Sequence, residues 1–166
     1  MTLSKRLQTI YDMTPNAVTA DIGSDHGKLI ISLFEDGKIP HGYAVENKKG
    51  PYSRLVKAIE QKGYIDDVVP LFSDGISDIP TTVGTVIIAG MGGKNIVDIL
   101  KAHIESHPND LSRIERLIFP LPNISLTESE SLSELSPLSA LIWTVSTDTS
   151  EIIFFSSSDN TVPISS

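Results

Sequence analysis

Four short stretches of the chain combine glycine and acids at spacings able to hold a small ligand: Asp21-Ile22-Gly23-Ser24-Asp25-His26-Gly27, Glu46 to Gly50, Ser73-Asp74-Gly75 and Gly90-Met91-Gly92-Gly93. Glycine in a turn lets a ligand approach the backbone, and a helix that follows offers free N–H groups. Glu46 is placed to accept both hydroxyls of a ribose, and Asp74 to accept from an exocyclic amine such as that of adenine. The set describes a nucleoside-bearing cofactor. A dinucleotide needs G-x-G-x-x-G after the first strand, whereas here Asp25 stands between Gly23 and Gly27, where an acid repels phosphates. S-Adenosylmethionine carries a sulfonium and an ammonium, which acids suit. Another nucleotide, or glycines that only make turns, are the remaining readings of these residues.

The elements that must position them alternate along the chain. Ser4 caps a first helix in which Leu3, Leu7, Ile10 and Tyr11 recur at helical spacing, ended by residues 13–16 with Pro15. Residues 17–22, 42–46, 68–72, 85–89 and 115–119 read as strands. Between them fall helices over 28–36, from Pro51 to the stop at Gly63, and after Gly93 to about His103. Residues 137–146 and 151–155 read as a closing hairpin around 147–150. The strands are apolar with little alternation, which predicts burial on both faces. The expected class is α/β, a doubly wound sheet of about seven strands, mostly parallel, with helices on both faces. In such sheets ligands bind beyond the carboxyl ends of the strands, where the four stretches fall.

The chain has 166 residues, 40% hydrophobic and 20% charged, as expected of one globular domain. Absence of cysteine excludes disulfides and thiolate chemistry. With no apolar run of membrane-spanning length and no apolar signal core in the first ten residues, a cytoplasmic protein with no membrane partner is expected. The net charge of -8 has the wrong sign for long-range attraction to nucleic acid, so an RNA site must be a local patch and DNA is not expected. All 13 Lys and Arg residues lie between Lys5 and Arg116, and residues 124–166 hold six acids and no base. A folded domain is expected over 1–157, with a disordered tail over 158–166. His103 and His107 have a metal-ligand spacing, but they sit in a last helical turn with no third ligand, and no metal is expected. Trp143, Phe154 and Phe155 read as core aromatics more readily than as a stacking platform.

The strings GSDH at 23–26 and AGMGG at 89–93, with Asp21, Glu46, Gly50-Pro51-Tyr52, Asp74-Gly75, the opening Leu3-Ser4-Lys5-Arg6-Leu7 and Arg116-Leu117-Ile118, carry a resemblance. In order and interval, over about residues 3–123, they resemble the bacterial tRNA (adenine-22-N1)-methyltransferases. The resemblance implies a Rossmann-like, S-adenosylmethionine-dependent enzyme that methylates N1 of an adenine in the D-arm of tRNA. It implies that Asp21, Gly23 and Ser24 form the methionine-side turn, that Glu46, with Asn47 beside it, clamps the ribose, and that Asp74 and Gly75 form the adenine site. The loop Gly90-Met91-Gly92 would hold the target base through its backbone groups. Members of the family continue into a helical C-terminal domain, which is expected to be absent here.

Adenine N1 has a lone pair at neutral pH, so methyl transfer chiefly needs alignment and desolvation. The methylated base is cationic, and a carboxylate beside it would stabilise that charge. Asp25 is the first candidate for this role and His26 the second; a contact to cofactor alone and a helix cap are the plainer readings of the two. Lys28, Lys48, Lys49 and Lys94 flank the glycine turns and are candidates for tRNA phosphates, with Lys5, Arg6, Arg54 and Lys57 adding to them. Solvated helix faces are the plain alternative. A methyltransferase with a changed substrate and a non-catalytic cofactor-binding or RNA-binding module are the competing functions.

Overall fold

The computed structural model describes residues 2–91, 93–107, 114–120, 142–145 and 152–156. Helix α1 (Lys5–Met13) opens the chain, and the Ser4 hydroxyl caps it by accepting from the Leu7 N–H at 3.4 Å. There follow β1 (Thr19–Ile22), α2 (Lys28–Glu35), β2 (Gly42–Glu46), α3 (Lys49–Lys62), β3 (Val68–Phe72), β4 (Thr85–Ile87), α4 (Gly93–Ser106) and β5 (Arg116–Pro120). Their strands form a parallel ladder in the order β3-β2-β1-β4-β5. The antiparallel β7 (Ile152–Ser156) and β6 (Ile142–Val145) continue the sheet beyond β5. The turn expected over 147–150 and the tail expected over 158–166 lie outside the described residues.

Strand order reverses at β1. The chain steps outward through β2 and β3, then returns to place β4 on the other side of β1, which makes the gap between the ends of β1 and β4 the topological switch point. Period-2 alternation sends Ala20, Ile22, Val86, Ile88, Leu117 and Phe119 to one face, where Ile96 and Leu100 of α4 pack on them. Ala44, Ile87 and Ile118 join the other cluster, with Ile10 of α1, Ile30 and Leu33 of α2 and Leu55 and Ile59 of α3. Both faces are thus covered. That explains why β1 and β4 are buried throughout, the polar Thr19, Asp21 and Thr85 included, while the edge strand β3 is half-buried and ends at the exposed Phe72.

Several boundaries differ from the expected ones for physical reasons. Helix α3 begins at Lys49, two residues before Pro51, because first-turn N–H groups have no partner inside the helix and proline gives up nothing there. Gly63, at φ 74°, ends it as a left-handed cap. The ladder of β4 closes at Ile87 although Ile88 and Ala89 remain buried, and the Ile88 N–H still donates to the Ile118 carbonyl at 2.9 Å. Helix α4 runs to Ser106, past His103, whose ring stacks on His107 at 5.0 Å. Among the described residues no cluster of His, Asp and Glu could hold a metal, and no helix is long and apolar enough to cross a membrane.

Helix α1 is fastened to the body at several points. The Tyr11 hydroxyl donates to Asp36 Oδ2 at 2.8 Å, Lys38 Nζ donates to the Asp12 carbonyl at 3.0 Å, and Arg116 Nη1 of β5 donates to the Met13 carbonyl at 3.4 Å. Ile87, fully buried on the central strand, tests the packing of the face that α1 shares with α2 and α3. Ile87→Ala should lower stability by about 2 to 5 kcal/mol in urea unfolding, through lost burial and the cavity left behind. A loss well under about 1 kcal/mol would mean that this face repacks freely.

Candidate functional site

The turn after β1 folds back over the strand ends. The N–H groups of Gly23 and Ser24 both donate to the Val45 carbonyl of β2, at 2.9 and 3.0 Å. Gly23 and Gly27 take φ 74° and 68°, and Asp25 between them sits at φ 46°, the one positive φ outside glycine among the described residues. A short polar side chain makes that left-handed position tolerable. The Asp25 carboxylate lies 3.5 Å from His26 Nε2 and 3.6 Å from Arg54 Nη2 of α3, with half of each side chain exposed. Gly27 occupies the N-cap of α2 and no side chain caps that helix, so His26 faces Asp25 and is not a cap.

Three further acids are each given donors by their own chain. Asp21, 3% exposed, accepts from the Ser24 hydroxyl at 2.8 Å. Glu46, 7% exposed, accepts on Oε1 from the N–H groups of Asn47 and Lys48 at 3.1 and 3.0 Å. Asp74 accepts on Oδ1 from Asn47 Nδ2 at 2.8 Å, which ties the turn after β3 to the end of β2. Burial pushes the Asp21 carboxyl up to about 7, and the hydroxyl bond from Ser24 opposes that shift.

At the switch point the ends of β1 and β4 come into backbone contact. A Cβ at Gly90 would lie 2.9 Å from the Gly23 carbonyl oxygen, and one at Gly23 would lie 3.0 Å from Met91 Cε. Two chambers open beside this contact. The larger, about 760 Å³, is lined by Glu46, Asn47, Lys48 and Asp74 together with Met91, Asn95, Asp98 and Ile99. The smaller, about 200 Å³, is lined by Asp21, Ser24, His26 and Lys28 together with Leu7, Leu29 and Ala89. Arg6, Gly23, Asp25 and Gly90 line both, so the chambers share a boundary.

Most of the residues singled out in the sequence converge here: Asp21, Gly23, Ser24, Asp25, His26, Lys28, Glu46, Asn47, Lys48, Asp74, Gly90 and Met91 each line at least one chamber. Gly75 does not; it lines a neighbouring pocket with Ile76, Ser77 and His103, at φ 76° and close against Ile99. Lys49 is exposed at the start of α3 and lines neither chamber. Gly92 and the side chain of Lys94 lie outside the described residues. Sequence reasoning overlooked Asn95, Asp98 and Ile99, whose i, i+3, i+4 spacing after the glycine loop was the available signal. It also gave Arg6 only a place among phosphate contacts.

A doubly wound sheet with a glycine-lined switch point, acids closing β1 and β2 and a third acid after β3, is the architecture of a Rossmann-like methyltransferase. The family described as a methyltransferase domain matches residues 3–127, and the chain belongs to it. It is 38% identical over 124 residues to the tRNA (adenine(22)-N(1))-methyltransferase of Bacillus subtilis (strain 168), an alignment covering 74% of this chain and 50% of that protein. The chain therefore spans about half the length of the curated relative it matches. The crystal structure of the B. subtilis M1A22 tRNA methyltransferase superposes with a TM-score of 0.74 at 31% identity, covering 95% of this chain and 68% of that one. A Streptococcus pneumoniae structure in complex with S-adenosyl-L-methionine superposes with a TM-score of 0.77 at 28% identity, covering 93% of this chain and 73% of that one. The resemblance carried by the GSDH and AGMGG strings is borne out.

Asp21 makes the domain's stability depend on pH. Its folded pKa of about 7 lies above the ordinary aspartate value of about 4, so between these limits the native chain holds a proton that the unfolded chain has released. The contribution of this group is complete below about pH 4 and is lost as pH rises through about 7. Asp21→Asn, which cannot ionise, should flatten the profile. Relative to that variant the parent should lose on the order of 4 kcal/mol of unfolding free energy between about pH 4 and pH 8. Parallel profiles for the two proteins would show that Asp21 is solvated in the folded chain.

Proposed function

We propose that this domain transfers a methyl group from S-adenosylmethionine to N1 of an adenine in tRNA, the reaction that names its B. subtilis relative. One observation carries the reading: a nucleoside-sized chamber and a smaller one lined by both acids and cations meet at Arg6, Gly23, Asp25 and Gly90, on the switch point of the sheet. The residues present fit the cofactor. Glu46 spends Oε1 on two backbone N–H groups, and no bond among the described residues engages Oε2, which is left to accept ribose hydroxyls. Asp74, steadied by Asn47, accepts from the adenine amine. Asp21, Gly23 and Ser24 take the methionine end, and the missing side chain of Gly90 allows the close approach to the Gly23 carbonyl on the boundary of the two chambers.

When bound, the cofactor supplies a methyl group on a sulfonium. The chain's part is to orient the acceptor and answer the charge that develops on it. The loop Gly90-Met91-Gly92 holds the target base by its backbone groups. Asp25, on the shared boundary and half exposed, faces the cation that methylation creates, with His26 beside it. Lys28, Lys48, Lys49 and Lys94 provide the local positive charge for tRNA phosphates that a chain of net charge -8 requires, and the reaction places the protein in the cytoplasm.

Mass-spectrometric nucleoside analysis of bulk tRNA incubated with the protein and labelled cofactor tests the proposal, with labelled 1-methyladenosine expected. Cofactor binding in calorimetry without any transfer to tRNA would favour the non-catalytic reading. Glu46→Ala should weaken cofactor binding by about 1.5 to 3 kcal/mol, and an unchanged affinity would remove Glu46 from the site. For Asp25→Asn, turnover should fall by about tenfold or more with little change in cofactor affinity, because the interaction strengthens only as the base becomes charged. Losses confined to binding would assign Asp25 to the cofactor.

A further inference from the structure

Phe72 is the large apolar side chain most open to water among the described residues, 50% exposed at the carboxyl end of the edge strand β3. Ile65, 38% exposed, precedes the amino end of that strand, so the two do not join into the broad apolar patch that a protein partner covers. Pro70, which has no N–H, blunts the outer edge of β3 against pairing with a second copy. Phe72 is nevertheless held in place. Its ring meets that of Tyr52, in the first turn of α3, edge to face, with centroids 5.2 Å apart and planes at 61°. The Tyr52 hydroxyl in turn donates to the Pro70 carbonyl at 3.5 Å. The Phe72 ring is thus oriented from one side and left half in water.

The surroundings give this ring a chemistry. Lys48 and Lys49 stand one helical turn before Tyr52, whose N–H donates to the Lys48 carbonyl at 2.9 Å, and neither lysine makes an ion pair among the described residues. Residues 48–62 hold five bases against the single acid Glu60, in a chain whose net charge is -8. The acids of the turn after Phe72 are engaged within it, Asp74 by the Asn47 amide and Asp78 by the Ser73 hydroxyl. Phe72 pairs with Glu46 in the ladder of β2 and β3, and Lys48 and Pro51 line the larger chamber, so the ring lies at the rim of the cleft and not inside it. A half-exposed aromatic ring beside such cations fits a flat base joined to phosphates, whereas an acidic peptide would satisfy the lysines and not the ring. We infer that Phe72 stacks an unpaired base of the RNA substrate, with the Lys48 and Lys49 ammonium groups on the adjoining phosphates. This assignment rests on the reading of RNA as the substrate. It adds a preference for single-stranded nucleotides beside the reacting adenine, since a base inside a duplex has no free face to offer.

Fluorescence anisotropy of labelled RNA with the intact chain at low salt tests it, using a single-stranded oligoadenylate and an RNA duplex of equal length. Phe72→Ala should weaken oligoadenylate binding by about tenfold and leave duplex binding within about twofold of the parent. Phe72→Trp should restore the affinity, and its added indole should lose emission on binding, beyond any change in the parent, whose one tryptophan is Trp143. Phe72→Leu separates stacking from packing: it keeps apolar bulk without an aromatic face and should bind as weakly as Phe72→Ala. Ile65→Ala, at the other end of β3, should match the parent. Recovery by Phe72→Leu would overturn the assignment in favour of packing on Tyr52, and equal weakening of single strand and duplex would overturn it in favour of a general effect on the basic surface. A loss of S-adenosylhomocysteine affinity as large as the loss of RNA affinity would move Phe72 to the cofactor, and a parent dimer that Phe72→Ala dissociates would give the ring to a second copy of the chain. Unchanged oligoadenylate binding by Phe72→Ala would overturn the stacking and leave the RNA reading in place, whereas no RNA binding by the parent would remove that reading and this assignment with it.

Discussion

The backbone contact between Gly23 and Gly90 is the constraint around which the cleft is built. Both residues follow strands that are buried on both faces and held by ladders on both sides, so neither strand end can retreat to make room for a side chain. An alanine at 90 would meet a backbone oxygen and not the tip of a flexible side chain. The two chambers lie where they do because the strand ends approach this closely.

Around the contact the carboxylates follow a common arrangement at different depths. Asp21 is buried against a hydroxyl, Glu46 is nearly buried against two backbone donors, and Asp74 is exposed and held by one amide. Each has an internal partner that fixes its orientation and acceptor capacity that remains for a ligand. The deepest of them is the one whose ionisation is hardest, so a positively charged group entering the smaller chamber would supply the counter-charge that the fold withholds. A cleft of this kind favours cationic or donor-rich ligands before any shape is considered.

Much of this was legible because burial on both faces writes strands as continuous apolar runs, as in Thr85 to Ala89, and because the turns between them must be glycine-rich. The errors came where burial and pairing diverge. Ala89 is as buried as a strand residue without belonging to the ladder, and Pro51 marked the start of α3 two residues late because a first turn accepts proline at more than one position. Asn95, Asp98 and Ile99 passed unnoticed since a polar residue pair on a helix has the same pattern whether it faces water or a cleft. Gly75, expected at the adenine site, takes a left-handed turn in which a Cβ would lie 3.1 Å from Ile99 of α4. For Arg6 no periodicity could have sufficed. Its place in the cleft depends on how α1 returns to the sheet, which is a long-range fact.

That return has a consequence for the order in which the domain is made. Helix α1 leaves the ribosome before the sheet, but its anchors include the arginine of β5, a partner 103 residues later in the chain, and Ile10 packs in the same core as Ile118. Contacts so distant in sequence close late, after the loop-closing entropy has been met by the rest of the sheet. A nascent chain that has emerged only through β4 would therefore have the glycine turns and the acids, with α1 held through Asp36, Lys38 and its packing on α2 and α3 but without its anchor on β5. Completion of the cleft is timed by β5, so translation itself separates the making of the pocket from its closing.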